Sequence, residues 1–289
     1  MENRRLSAKS HVFIAGLHRS GTSLLARLLG AHPDIATLSG ADVPEQEGCY
    51  LQGAIPHGAL HGMPGHFATD PAQRHDESSP YNRLETRLRL DHDWDPWFGA
   101  GRWRLEKSPV NLTRMRLYAQ LFPMAHFIVI LRHPEAVAAA HAKWCDQPSD
   151  ALIDYALAAH AQAEEDLAHL HAAVRLRYED LVEAPDAALA MLTRFLGLDA
   201  NAPAETVRNG TRDYAGAAPV MNDEQAARAE RWGYCPSLAI RVLPPVVRHP
   251  LRARREAANA AWNANGGCWS GREDSNLRPL PPEDSALPG

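Results

Sequence analysis

The stretch Gly16-Leu17-His18-Arg19-Ser20-Gly21-Thr22-Ser23 constrains the fold more than any other part of the sequence. Before it runs His11–Gly16 (HVFIAG), an apolar segment ending in glycine that reads as a buried parallel strand. After it comes Gly21–Leu29 (GTSLLARLL), with Leu24, Leu25, Leu28 and Leu29 at helical spacing. A strand, a tight loop and a helix in succession aim backbone N–H groups at one point, and the helix N-terminus adds the positive end of its dipole, so the loop suits an anion. The spacing is that of a P-loop, G-x-x-x-x-G-[K]-[ST], with Thr22 where the lysine belongs. An ordinary strand-to-helix turn is the bland reading, but Arg19, Ser20, Thr22 and Ser23 put four anion-friendly side chains in one short loop.

The missing lysine narrows the ligand. In nucleoside triphosphatases that ammonium reaches the β- and γ-phosphates, and a neighbouring strand ends in an acidic magnesium ligand. Here the most convincing central strand, in His126–Leu131 (HFIVIL), ends in Arg132. The loop therefore suits a nucleotide with one 5′ phosphate and no metal-bound triphosphate tail. A small-molecule or nucleotide kinase with a degenerate P-loop is the alternative, and a catalytically weak nucleotide-binding module a third.

The rest of the chain alternates in the same way. Trp103–Glu106 is a short strand candidate, Val110–Leu121 reads as a helix, Pro134–Trp144 as a helix with proline in its first turn, and Asp150–Ala172 as a long alanine-rich helix. Val174–Arg177 is the last strand candidate, and Asp186–Leu196 a helix stopped by Gly197. The expectation is an α/β fold: a three-layer arrangement of a parallel sheet flanked by helices, with P-loop-like nucleotide-binding architecture. Ligands of such sheets bind at the carboxyl ends of the strands, which puts the loop, Arg132 and the Arg177-Tyr178 strand end on one rim. Gly40 to about Pro80, rich in Gly, Pro and His, reads as an irregular connection of the kind that forms functional lids.

Composition bounds the setting. A formal net charge of −5 gives no general attraction to nucleic acid or anionic membrane, so an anion is caught locally. No stretch is long enough to span a bilayer, the polar segment Met1–Ser10 leads directly into Val12 without a signal core, and Cys49, Cys145, Cys235 and Cys268 form no CxxC pair. Together these point to the cytoplasm. His57, His61 and His66 invite a metal reading, but no HExxH pattern or cysteine pair supports it, and no metal is expected.

Four segments carry a resemblance. HRSGTSLLARLLGAHP resembles the 5′-phosphosulfate loop of the sulfotransferases, and IVILRHPEAV their 3′-phosphate motif. EKSPVNLTRMRLYAQLFP between them and LRYEDLVEAPDAALAMLTRFLGL after them are similar to segments of bacterial members, so that the likeness runs from about His11 to Leu198. It implies transfer of a sulfonate group from 3′-phosphoadenosine-5′-phosphosulfate to a hydroxyl of a small-molecule, carbohydrate, lipid or peptide acceptor. By resemblance, Arg19, Ser20, Gly21, Thr22 and Ser23 grip the 5′ phosphosulfate, Arg132 binds the 3′ phosphate, Tyr178 lies near the adenine, and Lys107 faces the transferring sulfonate. The family's helical serine after the arginine is here Ala140, with His141, Lys143, Arg208 and Arg212 as possible substitutes. Its catalytic histidine is here Pro109, which cannot titrate, so a carboxylate in Pro44-Glu45-Gln46-Glu47-Gly48 takes the role of base: Glu47, with Glu45 as close rival.

The domain is expected to span residues 1–265. From about Gly266 the chain turns polar and proline-rich without periodicity, as a disordered tail does. Asp274-Ser275-Asn276-Leu277 can be encoded by a string containing GATTCGAACC, the complement of a common transfer-RNA T-loop segment, so the tail reads as run-through into an antisense transfer-RNA gene.

Overall fold

The computed structural model describes residues 10–56, 64–199 and 207–267. The apolar run before the loop is β1 (Ser10–Ala15), and the leucine-rich segment after it is α1 (Thr22–Gly30). β2 (Ile35–Thr37), β3 (Trp103–Lys107), β4 (His126–Leu131) and β5 (Ala173–Arg177) join β1 in one sheet, in the order β2-β3-β1-β4-β5, all parallel. Between the strands run α2 (Leu84–Trp94), α3 (Met115–Leu121), α4 (Pro134–His141) and α5 (Ser149–Leu167). After β5 follow α6 (Tyr178–Glu183), α7 (Pro185–Leu196) and α8 (Asp223–Ala229). The C-terminal part adds a small ribbon of β6 (Tyr234–Cys235) and β7 (Ala239–Ile240), then β8 (Val246–Arg248) and α9 (Arg252–Ala264).

Side chains alternate across the sheet, so each strand feeds two cores. Phe13 of β1 and Phe127 of β4 stack on one face with Tyr118 and Trp94, while Val12, Ile14 and Ile128 face Leu25, Leu192 and Phe195 on the other. Both faces are covered, and all six residues of β4 are buried. The three-layer α/β fold with helices on both faces is thus as the alternation predicts.

Four details depart from the sequence reading. The sheet is mixed, because β8 pairs with β5 antiparallel and β5 is not the last strand. A three-residue strand preceded by Pro244-Pro245 offers no alternation to detect. The expected helix over Val110–Leu121 breaks at Arg114 (φ −124°, ψ 1°) into a tight turn, Pro109–Thr113, and α3. α2 was not expected, since only Thr86, Leu90 and Trp94 of its charged sequence are buried. α4 ends at His141 rather than Trp144, and α5 at Leu167. The tail from Cys268 onward lies outside the described residues, as do His57 and His61.

α5 carries a titratable group deep in the core. His160 is 1% exposed, its ring meets Trp232 edge-on at 5.4 Å, and neither ring nitrogen has a hydrogen-bond partner among the described residues. Burial, with His133 and Arg175 nearby, pushes its pKa down to about 3. The fold thus accommodates the neutral ring. Its contribution to stability is complete above the unfolded pKa near 6.5 and is lost as the pH falls from there toward 3. In urea titrations at pH 7 and pH 5, His160→Leu is expected to gain about 2 kcal/mol on the wild type between the two conditions. A difference that does not change with pH rules out the buried neutral ring.

Candidate active site

The loop between β1 and α1 is held by backbone geometry that only some residues permit. Gly21 caps α1 with φ 95°, and a Cβ there would run into the Tyr178 ring. Gly16 passes so close to β4 that a Cβ would meet the Ile130 carbonyl oxygen at 2.7 Å. Arg19 itself is left-handed at φ 63°, and the Ser20 N–H donates to the Leu17 carbonyl at 3.0 Å. The first-turn N–H groups of α1 have no intrahelical partner and face the loop's concavity. Ser20 is wholly buried beneath it, and its Oγ has no hydrogen-bond partner among the described residues. The Arg19 guanidinium lies 5.6 Å from the centre of the half-exposed Trp144 ring.

Arg132 follows β4 directly and is 5% exposed. Its Nη1 donates to the Arg19 carbonyl at 2.6 Å, and its Nε to Thr211 Oγ1 at 3.2 Å. Its Nη2 is buried and has no hydrogen-bond partner among the described residues. The guanidinium sits 4.3 Å over the ring of Tyr178, whose hydroxyl accepts from the Gly210 N–H at 2.9 Å. Thr211 Oγ1 in turn donates to Glu179 Oε1 at 3.3 Å. Ala140 is buried and brings no hydroxyl, but Thr211, which the sequence reading did not single out, brings one to Arg132 from a distant loop. Of the possible substitutes, His141 Nε2 donates to the His18 carbonyl (3.1 Å), and burial pushes its pKa down to about 4, so it is uncharged near neutrality. Lys143 lies over the Tyr214 ring, and Arg208 pairs with Asp213 at 2.6 Å.

Lys107 closes β3, in register with Ile14 of β1. Its Nζ lies 3.0 Å from Glu47 Oε1 and donates to the Glu45 carbonyl at 3.2 Å. Burial raises the Glu47 carboxyl to about 7; the Lys107 charge and hydrogen bond pull the other way without overcoming it. Behind the pair, fully buried Glu106 accepts from the Gly48 N–H (2.9 Å), the Ser108 hydroxyl (2.5 Å) and the Asn111 amide (2.6 Å), which fixes the turn that carries Glu47. Glu45 Oε2 accepts from Ser23 Oγ at 3.0 Å. Both Glu45 (φ 50°) and Gln46 (φ 53°) are left-handed without being glycine, a strain of the kind that gathers at working sites.

These pieces surround a cavity of about 390 Å³. Arg19, Gly21, Thr22, Ser23, Glu47, Arg132 and Tyr178 all line it, together with Glu45 and Pro109. Two of the expected residues do not: Ser20 lies beneath the loop, and Lys107 borders a second cavity on the other side of Glu45. Trp144, Gly210 and Tyr214 line the first cavity and were not anticipated, because each comes from a loop with no motif around it. Leu24 lines both. Among the described residues no group of three or more His, Cys, Asp or Glu is placed to hold a metal ion, and His66 instead contacts Gln147 at 2.7 Å. No helix among them is long and apolar enough to cross a membrane.

Among solved structures, a sulfotransferase from Alicyclobacillus acidocaldarius is similar at 19% identity, covering 78% of this chain and 96% of that one, with a TM-score of 0.48. The sulfotransferase domain of the Synechococcus PCC 7002 olefin synthase is similar at 16% identity, over 78% and 94% of the two chains, TM-score 0.46. A Mycobacterium tuberculosis sulfotransferase is similar at 16% identity, over 89% and 77%, TM-score 0.41. No curated protein sequence matches the chain. The family model described as the sulfotransferase family matches residues 11–202, most of the chain and every element of the site up to α7, and the chain belongs to that family.

Proposed function

We propose that the protein transfers a sulfonate group from 3′-phosphoadenosine-5′-phosphosulfate to a hydroxyl acceptor, and that it does so in the cytoplasm. The observation that carries the donor assignment is Arg132. It is a guanidinium fixed in the cavity wall by two bonds, with a third nitrogen, Nη2, left without a partner. A fixed fork of this kind suits a phosphate group, and it lines the same cavity as the anion-binding loop. The donor, when bound, supplies an activated sulfonate. The loop from Arg19 to Ser23 holds the 5′ end. Tyr178 provides the ring surface beside Arg132.

Glu47 is the base that takes the acceptor proton. A carboxyl raised to about 7 is matched to that task near neutral pH, and Pro109 beside it cannot titrate. Lys107 holds Glu47 in place and sets a positive charge next to the transferring group. Arg19 steadies the charge that develops on the departing phosphate oxygen, and Trp144 restrains its guanidinium. Glu45 is the weaker candidate for base, because Ser23 already occupies one of its oxygens and it is exposed.

Calorimetry with 3′,5′-phosphoadenosine and with ATP plus magnesium tests the reading before any acceptor is known. The bisphosphate is expected to bind about tenfold or more tightly than the triphosphate, as one charge-assisted contact allows. Equal or better binding of ATP would transfer the weight of the argument to a phosphotransferase with a degenerate loop.

A further inference from the structure

Arg132 is bonded to a hydroxyl that lies far from it in sequence and is itself fixed from behind. Its Nε donates to Thr211 Oγ1 at 3.2 Å. A hydroxyl carries one proton, and that of Thr211 goes to Glu179 Oε1 at 3.3 Å, which turns the oxygen's lone pairs toward the guanidinium. Glu179 is 3% exposed and accepts in each of its other contacts, from the His133 N–H at 3.1 Å and the Tyr234 hydroxyl at 3.4 Å. The residue before Thr211 reaches the same place. The Gly210 N–H donates to the Tyr178 hydroxyl at 2.9 Å, and a Cβ on Gly210 would stand 3.6 Å from Arg132 Nη2. Two consecutive residues thus meet both the guanidinium and the ring it lies over.

Within a guanidinium, Nη2 shares one edge with Nε and the other with Nη1. Nη1 is held by the Arg19 carbonyl at 2.6 Å and Nε by Thr211, so bonds on two different edges set the plane of the group and with it the direction in which Nη2 points. From this chain of contacts we propose that Thr211, braced by Glu179, is the positioning residue that lets Arg132 tell a 3′-phosphorylated nucleotide from one with a free 3′ hydroxyl. The proposal rests on the donor reading above. Without the Thr211 oxygen, Arg132 Nε becomes a buried donor with no partner, and the Arg19 carbonyl alone holds the group. The guanidinium can then turn, and a contact to phosphate weakens, because it needs the N–H groups in line with the oxygens. A nucleotide with a free 3′ hydroxyl makes no such charge-assisted contact and loses little. Ala140, on the helix after Arg132, has no hydroxyl to offer in place of Thr211.

The test is calorimetry on the full chain with 3′,5′-phosphoadenosine and 5′-AMP, read as the ratio of the two dissociation constants. The wild type is expected to favour the bisphosphate by about tenfold or more. Thr211→Val keeps the shape of the side chain without the hydroxyl and is expected to shrink that ratio by about three- to tenfold, and Thr211→Ser to restore it. In Arg132→Ala, Thr211→Val is expected to change the ratio by less than about twofold, because the group it positions is gone. Thr211→Ala gives the same reading if the valine leaves the chain unfolded, and failure of both to fold assigns Thr211 to stability and overturns the proposal. A merely structural Thr211 would weaken both nucleotides alike and leave the ratio standing. A ratio unmoved by Thr211→Val, one that serine does not restore, or an equal fall in the Arg132→Ala background also overturns it. A wild-type ratio near one overturns the donor reading instead.

Discussion

Glu47→Gln is expected to lower turnover by about 10²- to 10⁴-fold, the usual contribution of a positioned base, while leaving affinity for 3′,5′-phosphoadenosine nearly intact. The glutamine keeps the shape of the side chain and can still accept a hydrogen bond from Lys107, so the loss isolates proton transfer. The pH profile provides the second readout. The Glu47 carboxyl is raised to about 7 by burial, so it is mostly protonated and idle at pH 6 and ionised at pH 8. Wild-type kcat/KM should climb through pH 7, and the variant should lose that limb. Single-turnover rates between pH 5.5 and 9 check both statements. Normal turnover in Glu47→Gln with loss in Glu45→Gln would move the base two residues toward the N-terminus.

Arg132→Ala is expected to weaken 3′,5′-phosphoadenosine by roughly 1.5–3 kcal/mol, about 10- to 150-fold, and 5′-AMP far less. The guanidinium's unpartnered Nη2 is the group that would meet the 3′ phosphate. Some loss with 5′-AMP is also expected, because Arg132 Nη1 holds the Arg19 carbonyl and so shapes the loop at the other end. Calorimetry with both ligands separates the two roles: a difference between them measures the reading of the 3′ group, and equal losses would mean that Arg132 acts on the loop alone.

Those parts of the site that sit where strands end were legible in the sequence. Gly16–Ser23 and Arg132 follow strands long and apolar enough to be seen, and strand ends in a parallel sheet converge whatever lies between them. Lys107 was equally placed by β3, whereas Glu45 and Glu47 stood as rivals in one loop until the fold set Glu47 beside Lys107. The Thr211 contact was not legible, because Arg132 and Thr211 meet across a loop crossing that no periodicity encodes. Trp144 escaped for a related reason: α4 ends before it, at His141, and the turn that follows swings the indole over Arg19. α2 was missed because a helix that buries only Thr86, Leu90 and Trp94 shows too narrow an apolar stripe amid its charges. The mixed character of the sheet was hidden by the brevity of β8.

That short strand bears on how the protein is made. Among the described residues β5 pairs on one side with β4 and on the other with Val246–Arg248, which lie far along the chain. While a ribosome is still delivering the residues before Val246, the parallel strands and their helices have already emerged, and the outer edge of β5 stands with its N–H and C=O groups unpaired. An open edge beside an apolar core is a template for a neighbouring chain. The interval between emergence of β5 and arrival of β8 is therefore the period of greatest exposure to association between nascent chains.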